Sequence, residues 1–301
     1  MTEASGRTRR SKAACWIEAM RLRTLPVSLA GVVYAAGLGV ATGRFSAIPA
    51  ALCLVFALLA QIASNFANEY YDFKAGLDRA GREGPRRGVT EGDIAPSSMK
   101  HATFATLGAA CAVGCVLVAV YGEWWMYAVG VLTALGVMAY STGPYPLSHH
   151  GLGEVAVVCF FGLIPVSLTY ILMGGQWAWW LLAASIGLGL MGANVLVVNN
   201  YRDMDDDRAV GKRTLAVMTG RRSTAAIYCA NGILALILTL PAWVATSTLW
   251  WIVPAIYLAG HTVLSLRIVR LRGSALNPML GMTAVLMLVY ALGFLLTALL
   301  S

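Results

Sequence analysis

Charge is scarce in this chain of 301 residues, with Asp, Glu, Lys and Arg making up 12% of it, about half the roughly 25% usual in soluble domains. With a hydrophobic content of 58% and a mean hydropathy of +0.70, that scarcity excludes an ordinary water-soluble fold. Histidine is rarer still, at four, and the six cysteines form no C-x-x-C pair. Zinc-finger spacings and a disulfide framework are therefore excluded. Cys15, Cys53, Cys111, Cys115, Cys159 and Cys229 are scattered, five of them inside apolar runs, and are expected to be small core packers. A cleavable leader is not expected either, because Glu18, Arg21 and Arg23 interrupt the basic opening segment. The first apolar run then serves as its own insertion signal.

Long apolar runs are what the chain has in quantity. A bilayer core takes about 20 apolar residues per helix, and nine segments qualify: 26–42, 48–71, 101–120, 124–141, 153–172, 177–200, 224–244, 248–266 and 277–299. The expectation is an all-α, polytopic protein of nine transmembrane helices, one domain over 1–301, with 1–20 a basic cytoplasmic segment. Cationic loops stay on the cytoplasmic side during insertion, and 21 of the 22 Lys and Arg fall on one face of this arrangement, Arg44 alone opposite. The N-terminus is thus expected in the cytoplasm. Trp124, Trp125, Trp177, Trp179, Trp180, Trp243, Trp250 and Trp251 fall at the opposite ends, as an interfacial aromatic belt would. The net charge of +8 gathers on the cytoplasmic face, where it suits anionic lipid or a phosphorylated substrate. No nucleic-acid partner is expected, since the cations are tied to loops between spans.

The few acids are clustered. Ten of fourteen lie within 69–93 or 203–207, at the ends of two apolar runs. Asn68 to Asn199 is an offset of 131, and so is Asp72 to Asp203, which suggests an internal duplication of the kind common in helical membrane proteins. Residues four apart share a helix face, about 6 Å along the axis, so Gln61, Asn65, Asn68 and Asp72 form one polar stripe. Asn199, Asp203 and Asp207 form a second. Carboxylates beside hydrocarbon are costly, and a cluster of them is a functional hypothesis by default; the plainer reading of the two patches is interfacial anchoring of span ends, while Asp205, Asp206, Glu83, Glu91 and Asp93 read as solvated loop residues, Asp93 as part of a turn.

A few carboxylate oxygens, with other positions left to water and phosphate, is the ligand set Mg²⁺ favours. Two such stripes facing one another would clamp a diphosphate. Arg86, Arg87, Arg202, Lys212 and Arg213, with Arg82, would neutralise its charge as it departs. If the carbon it leaves is allylic, a resonance-stabilised cation results, which an electron-rich aromatic ring can capture, while an apolar cavity houses the prenyl tail. The loop from Tyr140 to Glu154 carries no Lys or Arg; Tyr140, Tyr145 and Glu154, with Asn65 of the first stripe, are candidates for binding the aromatic acceptor, although a rigid inter-helical turn accounts for the loop equally well. His149 and His150 are adjacent and would point apart, which argues against a metal role.

At these residues the chain resembles the UbiA superfamily of intramembrane prenyltransferases. The resemblance spans nearly the whole chain and rests on Asn-x-x-Asn-Glu-Tyr-Tyr-Asp-Phe-Lys-x-Gly-x-Asp from Asn65 to Asp78, Gly-Pro-x-Arg at 84–87, Tyr-x-x-Gly-Pro-Tyr-Pro-Leu from 140, Gly-Leu-Gly-Glu from 151, and Asn-Asn-Tyr-Arg-Asp-x-x-x-Asp-x-x-x-Gly-Lys-Arg-Thr-Leu from 199. It implies helices around a central cavity and Mg²⁺ held by Asn68, Asp72, Asp203 and Asp207. Asp72, Asp78, Asp203, Asp207 and Lys212 are the implied catalytic set. Glu69 departs from the pattern, standing where an Asn-Asp pair is usual. The implied reaction is transfer from a polyprenyl diphosphate to 1,4-dihydroxy-2-naphthoate with loss of the carboxylate. Related acceptors, 4-hydroxybenzoate or homogentisate, would share the metal site. A cation-coupled transporter would also accommodate duplicated halves and intramembrane acids, but its acids would sit at midplane.

Overall fold

The computed structural model of the chain describes residues 11–78, 86–244 and 251–301; Arg82, Glu83 and Trp250 lie outside them. Twelve α-helices follow one another, and no strand occurs among the described residues: α1 (Lys12–Ala19), α2 (Leu25–Ala41), α3 (Ala47–Lys74), α4 (Pro96–Tyr121), α5 (Trp125–Ala139), α6 (Gly153–Val157), α7 (Ile164–Leu172), α8 (Trp179–Arg202), α9 (Met204–Ala209), α10 (Leu215–Val244), α11 (Ile252–Ile268) and α12 (Asn277–Leu299). Among the described residues, six helical stretches are long and apolar enough to cross a membrane: α3, α4, Gly153–Leu172, α8, α10 and Gly273–Leu299. Three shorter apolar helices, α2, α5 and α11, accompany them.

The sequence expectation for 153–172 was a single regular span, and the structure contains it as α6 and α7 joined by a π-turn over Val158–Leu163. Pro165 is the reason. Its ring would strike the carbonyl four residues back, that of Phe161, and it offers no N–H to the ladder; widening the turn relieves both faults. The widened turn packs on α8 through glycine, since a Cβ on Gly162 would collide with the backbone of Gly189 and Ser185. Small residues let membrane helices approach this closely, and there dispersion contacts are the driving force.

α8 is the axis of the bundle, with 72% of its apolar window buried. It packs along α10, while α3 packs along α4 and α2 along α12. Large apolar side chains such as Val131, Leu132, Leu135, Ile233 and Ile237 remain exposed on the periphery, the surface a lipid-immersed bundle presents. Two sequence expectations are corrected here. Trp243 is fully buried, its indole N–H donating to the Tyr290 hydroxyl at 2.6 Å, because a membrane interior rewards pairing the indole N–H over leaving it at the interface. Cys111 and Cys115 are exposed on α4, one helical turn apart, where both line an apolar cavity, and do not pack a core.

One element went unforeseen. α1 is capped by Ser11, whose Oγ accepts from Ala14 N at 3.2 Å, and it buries Cys15 and Ala19 against Phe66, Val89, Ile94 and Met99. The α1–α2 link turns at Arg21, the one described non-glycine residue with positive φ, at 53°. A side chain in that region costs of order 1–3 kcal/mol and persists where surrounding contacts hold it.

Candidate active site

Both polar stripes end in one cavity of about 530 Å³, walled by Asn68 and Asp72 from the last turns of α3 and by Asn199, Asp203, Asp207 and Lys212 from the end of α8 and the α9 turn. The stripe on α3 forms as a hydrogen-bonded run. Gln61 donates to Asn65 Oδ1 at 3.3 Å, Asn65 Nδ2 to the Met20 carbonyl at 2.9 Å, and Asn68 Nδ2 to Asp72 Oδ2 at 3.2 Å. Asn65 therefore ties α3 to the α1–α2 link as well as lining the cavity.

Asp72, 1% exposed, meets Lys212 across the cavity: Nζ donates to Oδ2 at 3.0 Å. Gly211, at φ 78°, turns the chain after α9, and the Lys212 N–H donates to the Asp207 carbonyl at 2.9 Å, which sets the lysine against the acids. The other carboxylate oxygen of Asp72 is buried without a hydrogen-bond partner. His149 Nε2 stands 3.6 Å from it, beyond hydrogen-bond reach. A buried carboxylate oxygen without a hydrogen-bond partner, on the wall of a cavity that Asp203 and Asp207 also line, is a donor suited to a hard cation. Among the described residues no three His, Cys, Asp or Glu side chains converge as a ready-made metal cage.

Asp203 caps the end of α8 and is gripped by its neighbour. Arg202 donates through Nε to Oδ1 at 2.6 Å and through NH2 to Oδ2 at 2.8 Å, and its remaining bonds go to Asn199 Oδ1 at 2.7 Å and Asn277 Oδ1 at 2.9 Å. The sequence reading placed Arg202 on the diphosphate. In the structure Arg202 lines the cavity and its fork holds Asp203, since a planar guanidinium beside a carboxylate pairs in bidentate fashion.

The other candidates divide. Arg87 lines the cavity, donating to Asn68 Oδ1 at 3.1 Å and pairing with Asp78 at 3.2 Å. Asp78 thus supports Arg87 and is not part of the cavity wall. Arg86 turns away to Asp93 at 2.9 Å and Glu91 at 3.4 Å, and its guanidinium is held above its ordinary value by the Asp93 hydrogen bond. Arg213 is exposed, its backbone N–H donating to the His149 carbonyl at 3.0 Å. Tyr140 lines the cavity, whereas Tyr145 is exposed and stacks on His150 at 3.7 Å. Glu154 is buried behind the wall, accepting from Asn200 Nδ2 at 2.8 Å; Asn200 is the residue of that pair that reaches the cavity.

Three contributors escaped the sequence reading. His149 Nε2 stands 3.6 Å from Asp72 Oδ1, Ser141 Oγ accepts from Asn68 Nδ2 at 3.0 Å, and Arg21 donates to Asn68 Oδ1. Nothing in their spacing announces this, because each is brought in by a loop or by the strained link. Glu69 is wholly buried, is not in the cavity wall, and accepts from Val89 N at 3.0 Å.

A second cavity, of about 440 Å³ and almost entirely apolar, shares Gln61, Ser64, Tyr140, Val157 and Phe161 with the first. The π-turn and Pro165 shape its wall. A polar chamber of paired acids and cations opening into an apolar one, inside a helical membrane bundle, defines an intramembrane enzyme for a substrate with an anionic head and a hydrocarbon tail.

Residues 25–287 match the UbiA prenyltransferase family, and the chain belongs to it and is a prenyltransferase. A Mycobacterium tuberculosis relative named 1,4-dihydroxy-2-naphthoate octaprenyltransferase is 35% identical over 286 residues, covering 93% of this chain and 94% of its own length. An Escherichia coli relative of the same name is 36% identical over 215 residues, 70% of each chain. In fold, the chain is similar to a UbiA homologue from Archaeoglobus fulgidus solved bound to GPP and Mg²⁺, with a TM-score of 0.67 at 14% identity over 93% of this chain and 99% of that one.

Proposed function

We propose that this enzyme transfers a polyprenyl group from a polyprenyl diphosphate to 1,4-dihydroxy-2-naphthoate, with loss of diphosphate and of the acceptor's carboxylate as carbon dioxide, to give demethylmenaquinol, the hydroquinone form of demethylmenaquinone. One observation carries the reading: Asp72, Asp203, Asp207 and Lys212 converge on a polar cavity whose wall continues into an apolar one. The acceptor comes from the names borne by its relatives.

All nine apolar helices cross the membrane in this reading, including α2 and α11, whose 17 residues span about 25 Å at 1.5 Å per residue. The N-terminus and the polar cavity face the cytoplasm, on the side of the 21 cations, as the positive-inside rule requires. The enzyme then resides in the cell membrane, the apolar cavity taking the prenyl tail.

Asn68, Asp72, Asp203 and Asp207 would hold Mg²⁺, with Asp203 aimed by Arg202 and the open oxygen of Asp72 available. When bound, Mg²⁺ supplies positive charge against the diphosphate oxygens. Lys212 and Arg87 bind those oxygens and stabilise the charge that grows as the allylic C–O bond breaks. The allylic carbon then bonds to the acceptor ring at the junction of the two cavities, where Tyr140 stands, and the apolar walls keep water from intercepting the cation.

The test is incubation of purified protein with Mg²⁺, a prenyl diphosphate and a panel of aromatic acids, followed by mass spectrometry. A product lacking the carboxylate, formed from 1,4-dihydroxy-2-naphthoate and abolished by EDTA, is expected. A prenylated 4-hydroxybenzoate or homogentisate would reassign the acceptor, and no transfer to any acid would end the reading.

A further inference from the structure

We infer that Glu69 is a positioning residue: its carboxylate anchors the turn 87–94 so that Arg87 reaches the cavity, and it does not ligate metal. The inference rests on the prenyl diphosphate reading above and adds a role for the one residue of the Asn65–Asp78 motif that departs from the family pattern. Glu69 follows Asn68 directly, so on a helix it points about 100° away from it. It is 0% exposed and absent from the cavity wall. Its Oε1 accepts the Val89 N–H at 3.0 Å.

That N–H begins a tight turn. The Glu91 N–H donates to the Arg87 carbonyl at 2.9 Å, and those of Asp93 and Ile94 donate to the Gly88 carbonyl at 2.8 and 3.0 Å. The opening N–H groups of such a turn have no partner within it, and a carboxylate is their natural cap. Gly88 fits beneath, since a Cβ there would stand 3.0 Å from Ile94 Cδ1 and 3.4 Å from Glu69 Oε1. Arg87 leads into this turn and delivers its guanidinium to Asn68 Oδ1. Aspartate would leave the carboxylate about one C–C bond, roughly 1.5 Å, short of Val89. The longer arm is what the turn requires.

The inference reverses the usual order of conservative substitutions. A metal ligand tolerates Glu69→Asp and loses function as Glu69→Gln, because charge matters. An anchor that only accepts a hydrogen bond tolerates Glu69→Gln and fails as Glu69→Asp, because reach matters. The experiment measures geranyl diphosphate binding by thermal stabilisation of the detergent-purified full chain in EDTA, together with KM for prenyl diphosphate, KM for the acceptor and the Mg²⁺ requirement of turnover. We expect Glu69→Gln to match wild type in all four. Glu69→Asp should weaken geranyl diphosphate binding and raise its KM about tenfold, the scale of one lost charge-assisted contact, with the acceptor KM and Mg²⁺ requirement unchanged.

A raised Mg²⁺ requirement in Glu69→Gln, or wild-type binding in Glu69→Asp, overturns the inference. Should Glu69→Asp not fold, Glu69→Gln decides alone by whether its Mg²⁺ requirement moves. The binding measurement needs no acceptor, so a wild-type enzyme that binds geranyl diphosphate yet prenylates none of the acids would fail the proposed acceptor and leave Glu69 still decidable.

Discussion

Replacing Arg202 with methionine should destabilise this protein first and change its substrate affinity only as a consequence. Arg202 is 4% and Asp203 2% exposed, and the guanidinium holds both oxygens of Asp203 while bonding to Asn199 and Asn277. Removing one partner of a buried pair leaves the other charge uncompensated, at a cost of about 3–5 kcal/mol. At roughly 2 °C per kcal/mol for a chain of this length, the midpoint of thermal unfolding should fall by roughly 6–10 °C. Arg202→Lys keeps the charge but cannot form the fork, so it should recover only part of the loss. The assay is tryptophan-monitored thermal unfolding in detergent, run beside steady-state kinetics on the same preparations. A direct diphosphate ligand would behave in the opposite way. An unchanged midpoint with a raised KM for prenyl diphosphate would refute the orienting role.

Lys212→Met should lower kcat by about 10²–10³, the cost of deleting one preorganised group that meets developing charge, with a smaller effect on the unfolding midpoint; single-turnover prenyl transfer measures it, and a wild-type rate would remove Lys212 from the reaction. Tyr140 lines both cavities; Tyr140→Phe, which keeps the ring and removes the hydroxyl, should raise the acceptor KM and leave the KM for prenyl diphosphate unchanged, and steady-state kinetics with each substrate varied in turn will show whether it does.

Much of the fold was legible in residue order. Span 277–299 coincides with α12, and 153–172 with the stretch from α6 to α7, because a bilayer demands uninterrupted apolar length and imposes few other conditions. The π-turn ahead of Pro165 was foreshadowed only by the proline itself, since whether a proline kinks, widens or ends a helix depends on its neighbours. α10 begins nine residues before the expected 224, its first turns broken from the rest at Gly220, φ 77°; the Gly220-Arg221-Arg222-Ser223 run at that break hid them.

The sequence by itself determined a membrane bundle of apolar helices with its few acids gathered at two span ends, because burying a charge in hydrocarbon is too costly to occur without purpose. Four-residue spacing also determined which of those acids share a face. Only the tertiary structure decided what each face meets: that Asp72 finds Lys212, 140 residues away, that Arg202 turns to Asp203, and that Arg21 and His149 join from a strained link and a loop. Those pairings depend on how helices cross and how loops fold back over them, and no periodicity within one segment encodes a distance between two.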